Sequence, residues 1–368
     1  SDIEIIKENI KTEKQEKIEF IVDNSTGENT EFLSQVLNRS DEINTGQSMN
    51  KIFEIKNDLV SSVMRNLSDA NNSFITTSEI EVNNVIKEKI YNQILANNNN
   101  ENDNINLIAN IMSKSDANTI EKMVGYVGVV DDNNTGLNIS LQILSSLADV
   151  KTSKDVIFDE DKQNQVNRLI EEAVASAGSD TESINMLANV MTKSDPDTIS
   201  IMVENIQTVD NQNSAQGMSN NQNSSLSLQI LSSVTDNNFE NKKSFDSAEQ
   251  TQVNRLIDSA VANAGSNKAD SVMLANVITK SDTATAGTMF NTIAEVSVNN
   301  QNSNLAANVL SSVASTVATG TTTLDSTKMS QVSNFIDTAT TYTNTTTGTS
   351  TTGTSTTGTS TTGTSTTG

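Results

Sequence analysis

The sequence predicts an all-α protein of tandem four-helix modules, either an α-solenoid or beaded helical bundles, followed by a Thr/Ser/Gly low-complexity tail. Three observations carry that expectation. Four short strings recur in the same order along the 368 residues, and self-similarity at a near-constant period is the signature of a repeat architecture. Inside those strings the apolar residues are spaced three and then one apart, which marks one face of an α-helix. Between them lie runs of Asn, Asp, Ser and Gly such as 131–136 and 210–225, which hydrogen-bond locally and break helical periodicity.

The clearest string is a basic residue, Ser and Asp, ending at Asp41, Asp116, Asp195 and Asp282, at steps of 75, 79 and 87 residues. Loop insertions account for the drift. Ahead of each Asp stands an apolar helix face: Leu33, Val36, Leu37; Ile108, Ile111, Met112; Leu187, Val190, Met191; Leu274, Val277, Ile278. The strings LIANIMSKSD, MLANVMTKSD and MLANVITKSD agree at polar as well as apolar positions, so duplication explains them better than a shared pattern. After the Asp a third helix opens. In SDPDTISIMVENI, Asp195 is placed to cap, Pro196 takes the first helical position and Asp197 meets the positive end of the macrodipole. Ile199, Met202, Val203 and Ile206 are its expected buried face.

A Ser-Ser string recurs at 59–64, 143–148, 230–235 and 309–314, and a stripe helix at 81–88, 165–172, 252–259 and 331–338. Val166, Leu169, Ile170, Ala173, Val174 and Ala177 trace that stripe, and Val253, Leu256, Ile257, Ala260, Val261 and Ala264 repeat it. The resulting order is an N-terminal helical extension at 1–13, modules at 14–70, 78–150, 162–238 and 249–320, an orphan helix of a fifth module at 330–340, and the tail at 345–368. The first module is the most degenerate, its stripe resting on Ile18, Ile21 and Val22, with Ile3, Ile6 and Ile10 ahead of it.

Similarity also exists inside a module, where ANVIT at 275–279 resembles ANVLS at 307–311, so a helix pair is a candidate elementary unit. The string LANVMTKSDPDTISIMVENI resembles the helical repeats of magnesium-transporter cytoplasmic domains and of the N-terminal domain of the flagellar motor switch protein. The resemblance covers about 20 residues per module and contains no binding motif, so it implies stacked helices and no function.

Composition restricts the chemistry. Lys+Arg number 23 against 46 Asp+Glu, a net charge of −23, which repels phosphate backbones and anionic headgroups and disfavours nucleic-acid partners. Neither Cys nor His is present, removing thiolate nucleophiles, disulfides, the commonest general base and nearly all zinc and copper ligand sets. Aromatic residues are 3% with no Trp, too few for a base-stacking platform or an aromatic ligand pocket. No run of 18 apolar residues offers a membrane span, so no membrane insertion is expected. The chain opens at Ser1 without the pattern of a signal peptide, compatible with a leader already removed, and the Asn/Ser/Thr-rich, Cys-free composition fits export.

Each candidate site has a plainer structural account. The Lys-Ser-Asp triplets (Lys114, Ser115, Asp116; Lys193, Ser194, Asp195; Lys280, Ser281, Asp282) hold the residue types of a Ser nucleophile with a Lys base. A helix junction must recur in every module and an active site need not, so Asp41, Asp116, Asp195 and Asp282 are read as helix caps. Asp131, Asn133 and Thr135 make the front half of a calcium loop, but Gln142 stands where the bidentate Glu belongs. The acidic cluster at Asp159, Glu160 and Asp161 reads as a solvated linker able to hold calcium only loosely. Met112, Met123, Met191, Met202, Met273 and Met289 fall on apolar faces and are expected in the core. The Ser145-Ser146, Ser232-Ser233 and Ser311-Ser312 pairs permit close helix approach or face water. Glycines recur every five residues in the tail, an odd period that swaps faces on a strand; a flexible linker is preferred there over a glycosylated stalk or a Thr-presenting β surface.

These readings point away from an enzyme and toward a structural repeat protein without cofactors: an extracellular filament, adhesin stalk or virion appendage subunit that associates with itself. The alternative is a solenoid scaffold binding a protein or cell-surface partner on its concave face. The orphan helix supplies the self-association candidates Val332, Phe335, Ile336 and Ala339, free either to fold back as a cap or to pack on the module-one end of another copy.

Overall fold

A computed structural model of the protein describes residues 2–38, 101–115, 117–133, 138–154, 157–177, 180–215, 224–241, 244–265, 267–299, 303–319 and 323–337, with isolated positions at 51–52, 62–63 and 66. Regular structure among the described residues is entirely helical. Asp41, Asp116, Thr135, Ala339, most of the 14–70 module after residue 38, the stripe at 81–88 and the 345–368 tail lie outside the described residues.

Helix α1 (Asp2–Asp23) joins the expected extension and first stripe in one continuous element, and a short 3₁₀ turn leads into α2 (Thr30–Asn38). Then follow α3 (Glu101–Lys114), α4 (Ala117–Asn133), α5 (Ile139–Lys154), α6 (Glu160–Ser176), α7 (Thr181–Lys193), α8 (Pro196–Ala215) and α9 (Leu226–Asn241). The remaining helices are α10 (Ser247–Asn263), α11 (Lys268–Lys280), α12 (Thr283–Asn299), α13 (Ser303–Ala318) and α14 over 326–337.

Several helices begin where a side chain satisfies free N–H groups of the first turn. Asp159 accepts from Lys162 N at 2.9 Å, Asp180 from Ser183 N at 2.9 Å, and Asn267 from Asp270 N at 2.9 Å. At α10 the cap is reciprocal: Asp246 Oδ1 accepts from Glu249 N at 2.8 Å while Asp246 N donates to Glu249 Oε2 at 2.9 Å, a capping box. The cluster read as a linker at 159–161 is therefore the cap and first turn of α6. Its carboxylates face the positive end of a helix.

Two helices run past their expected ends. Helix α4 continues through Asp131 to Asn133, where a turn is expected, and α8 continues through Asp210 to Ala215. The second extension has a visible cause. Asp210 is buried, and its two carboxylate oxygens accept from Leu226 N at 2.7 Å and Ser227 N at 3.1 Å. The last turns of α8 thus hold the start of α9, and a side chain 16 residues upstream adds to the local cap, in which Ser225 Oγ accepts from Leu228 N at 3.3 Å.

Two compact units are present, Ser1–Leu256 and Ile257–Gly368. In the first, α3 packs on α5, α5 on α7 and α7 on α9, while α6 packs on α4, α5 and α8. Stripe helix α6 therefore has one side against the helices before it and another against the helix after it, and such a shared element has no sharp boundary. The boundary between the units falls inside α10, the next stripe helix, rather than ahead of it. In the second unit α11 and α12 pack on α13 and on each other.

The apolar faces read from the sequence are buried: Ile108, Ile111, Met112, Leu187, Val190, Met191, Leu274, Val277 and Ile278, with the stripes from Val166 to Val174 and Val253 to Ala264. Burying each such Leu or Ile contributes roughly 1.5–3 kcal/mol. Four positions depart from expectation. Ile21, Val36, Ala177 and Met273 are only half-buried, and Met186, which aligns with Met273, is half-buried too. The other five expected core methionines are buried.

Candidate functional site

The polar residues that recur with the repeat converge between helices. In α5, Ser146 is buried and its hydroxyl donates to Asn106 Oδ1 of α3 at 2.7 Å. In α9, Ser233 donates to Asn185 Oδ1 of α7 at 2.8 Å. The two bonds join aligned positions in successive repeats. The first Ser of the pair looks the other way: Ser145 Oγ accepts from Asn189 Nδ2 of α7 at 3.3 Å. In α5 the Ser-Ser string is thus a two-sided polar connector, one hydroxyl within its repeat and one toward the next. Neither close approach nor solvation, the two expectations for it, names this role.

The Lys-Ser-Asp triplet is drawn into the same seam. Asp195 Oδ1 accepts from Thr198 N at 2.8 Å, capping α8, while Oδ2 pairs with Lys151 Nζ of α5 at 2.6 Å. Burial acts to raise the pKa of Asp195, but the Lys151 ammonium and the Thr198 N–H prevail and hold it below the ordinary carboxylate range. Lys151 also lies 5.5 Å from the ring centroid of Phe158, a cation–π contact that fixes its stem. Lys193 pairs in turn with Asp149 of α5. A third ion pair, Arg168 with Glu121 at 3.2 Å, ties stripe helix α6 to α4.

Ser194 Oγ donates to Val190 O at 2.8 Å and Ser115 Oγ to Ile111 O at 2.8 Å, so each hydroxyl bonds back to its own helix. Lys193 is engaged with a carboxylate and is not aimed at Ser194 as a base. Asp282 caps α12 as Asp195 caps α8, accepting from Thr285 N at 2.9 Å. Of the calcium candidates, Asp131 and Asn133 fall in the last turn of α4. Among the described residues no group of three or more His, Cys, Asp or Glu is placed to hold a metal ion.

The self-association candidates divide between two faces of α14. Phe335 is buried, its ring 4.9 Å from that of Phe290 in α12. Beside it Gln331 Nε2 donates to Thr283 O at 2.9 Å and Lys328 Nζ to Thr279 O at 3.1 Å. Gly287 permits this seat, since a Cβ there would come within 2.8 Å of Gln331 Nε2. Burial lowers the pKa of Lys328, against the opposing charges of Asp325 and Asp282. Ile336 faces outward and Val332 is half-buried. Asp325 opens the helix by accepting from Lys328 N at 2.8 Å.

Some of these roles had a signal in the sequence. Asp246 with Glu249 has the spacing of a capping box, and Asp180 and Asn267 stand directly before apolar runs. Asp149, Lys151 and Asn189 had none, because pairing across 44 residues leaves no local pattern. No helix among the described residues is long and apolar enough to cross a membrane. No protein-family model matches the chain, and no curated protein is similar to it.

Proposed function

We propose that the protein is a structural spacer: tandem four-helix modules that stack through a repeated polar seam and hold two points apart, as a surface filament, adhesin stalk or virion appendage. One observation carries the reading. The polar residues of the repeat are used in joining helices: within a repeat Ser146–Asn106 recurs as Ser233–Asn185, and at the junction of two repeats Asn189, Lys193 and Asp195 meet Ser145, Asp149 and Lys151. Residues whose task is to join modules recur with every module, whereas a catalytic or ligand-binding set has no reason to.

The packing order favours stacking over separate beads. Helices α3, α5, α7 and α9 contact in succession, and α6 contacts both α4 and α8, so neighbouring repeats share their helices. A net charge of −23 keeps such modules soluble and apart from nucleic acid. In this reading the protein is not an enzyme and has no cofactor. Electron microscopy of native material tests it. Threads or fibres built from the chain are expected, and compact isolated particles with a bound partner would overturn it in favour of the scaffold.

A further inference from the structure

Stripe helices α6 and α10 carry the same arginine latch. In α6, Arg168 Nη1 donates to Gln165 Oε1 of its own helix at 3.2 Å and to Glu121 Oε1 of α4 at 3.2 Å. In α10, Arg255 Nη1 donates to Gln252 Oε1 at 3.0 Å and to Ser200 Oγ of α8 at 2.8 Å, while Nη2 reaches Glu204 Oε1 at 3.2 Å. The strings QVNRLI, QVNRLI and QVSNFI align Gln165, Gln252 and Gln331, and likewise Arg168, Arg255 and Asn334. On the helix before, the fifth residue after Asp116, Asp195 and Asp282 is Glu121, Ser200 and Gly287 in turn. In α14 both ends of the latch have therefore changed: the guanidinium gives way to the shorter Asn334, and its acceptor to a glycine.

Between α12 and α14 this leaves a cavity of about 170 Å³, lined by Gly287, Phe290, Asn291, Gln331, Asn334 and Phe335. Gln331 is held there, its Nε2 donating to Thr283 O at 2.9 Å and its amide lying over Gly287. Its Oε1 is buried with no hydrogen-bond partner. The same atom of Gln165 and of Gln252 accepts from an arginine. A buried acceptor without a donor is unfavourable. The rings of Phe290 and Phe335, with centroids 4.9 Å apart, make one wall aromatic, and Asn291, aligned with Glu204, brings a further amide oxygen able to accept.

We propose that this cavity binds a guanidinium group supplied from outside the chain, by a free guanidino compound or by the arginine side chain of a bound polypeptide. Two observations select that group. The latches of α6 and α10 show a guanidinium meeting this glutamine oxygen, and an aromatic wall suits a planar, weakly hydrated cation better than water or an ammonium. Exposed Glu295 and Asp337, one turn beyond Asn291 and Asn334 on their helices, keep the surroundings acidic. The site is independent of the spacer reading.

Titration of the full chain with methylguanidinium, followed by NMR of the side-chain amides, tests it. The Gln331 and Asn334 signals are expected to move saturably at concentrations on the order of millimolar, as suits so small a ligand. Methylammonium at matched ionic strength is expected to give no saturable shift. Asn334→Arg, at an exposed position, supplies the guanidinium from α14 itself. It is expected to shift the Gln331 amide without ligand and to weaken methylguanidinium binding about tenfold or more, because a tethered group competes at a high effective concentration. Ser333→Arg, exposed and outside the cavity, adds the same charge and is expected to leave binding unchanged. A Gly-Arg-Gly peptide is the second probe: tighter binding than methylguanidinium assigns the group to a polypeptide, and equal or weaker binding assigns it to a free compound. No saturable shift with either probe, the same shift with methylammonium, loss of binding in Ser333→Arg, or an undiminished response in Asn334→Arg refutes the site.

Discussion

Asp195 holds two partners with its two oxygens, and separating them measures what the seam contributes. Oδ1 caps α8 through Thr198 N and Oδ2 pairs with Lys151. Replacing a capping Asp by Ala costs about 1 kcal/mol. The ion pair is partly exposed on both sides, and such pairs are worth about 0.2–1 kcal/mol. Asp195→Asn retains a good capping residue and loses only the charge, so a loss of about 0.5 kcal/mol is expected; Asp195→Ala loses both, for about 1.5 kcal/mol. A double-mutant cycle of Asp195→Asn with Lys151→Met isolates the pair, with an expected coupling of about 0.5 kcal/mol. Hydrogen exchange by mass spectrometry reads the result locally, which suits a repeat chain whose unfolding need not be two-state. Protection is expected to fall first in α8. The pH dependence has a definite sign: with its folded pKa depressed, Asp195 contributes stability that is fully present above its unfolded value near about 3.9 and is lost as pH falls through the folded pKa. Asp195→Asn should abolish that part of the acid sensitivity. Equal losses from Asn and Ala, or no coupling to Lys151, would refute the two-partner account.

Other perturbations test the core, the connector and the C-terminal seat. Leu187→Ala empties a fully buried site on α7 and is expected to cost about 2–5 kcal/mol, with protection lost in α7 and in α5 and α9 packed on it. Ser146→Ala or Ser233→Ala removes one interhelical hydrogen bond and is expected to cost about 0.5–1.5 kcal/mol, measured by denaturant titration. Gly287→Ala should strengthen α12 by helix propensity, about 1 kcal/mol, yet push Gln331 off Thr283; exchange should quicken in 326–337 while 283–299 is unchanged or slower. Lys328, with its pKa lowered by burial, makes the second unit more stable as pH rises from the folded pKa toward the ordinary lysine value near about 10.4. Calorimetry on Lys328→Met should lose that rise.

Helix identity was legible because it depends on neighbours in sequence. The three-then-one spacing of Leu187, Val190 and Met191 is a property of one helix, and burial follows from it wherever a second apolar face exists. Asp195 as a cap was legible for the same reason, since its acceptor geometry involves Thr198 only three residues on. The repeat extended this reach by showing one pattern several times.

What tertiary structure alone decided are the pairings that cross the chain. Nothing near Asp210 indicates that its carboxylate takes the N–H groups of Leu226 and Ser227, and that bond is why α8 runs through an Asn/Ser-rich stretch expected to be a loop. The two hydroxyls of the Ser-Ser string look identical in sequence, yet helix geometry turns Ser146 toward α3 and Ser145 toward α7. On α14 the stripe was visible as four residues on one face, whereas the fold assigns Phe335 to Phe290 and leaves Ile336 outside. Periodicity states which residues share a helix face, because it is set by 3.6 residues per turn; which neighbour covers each part of that face is set by helices tens of residues away, and only their packing reveals it.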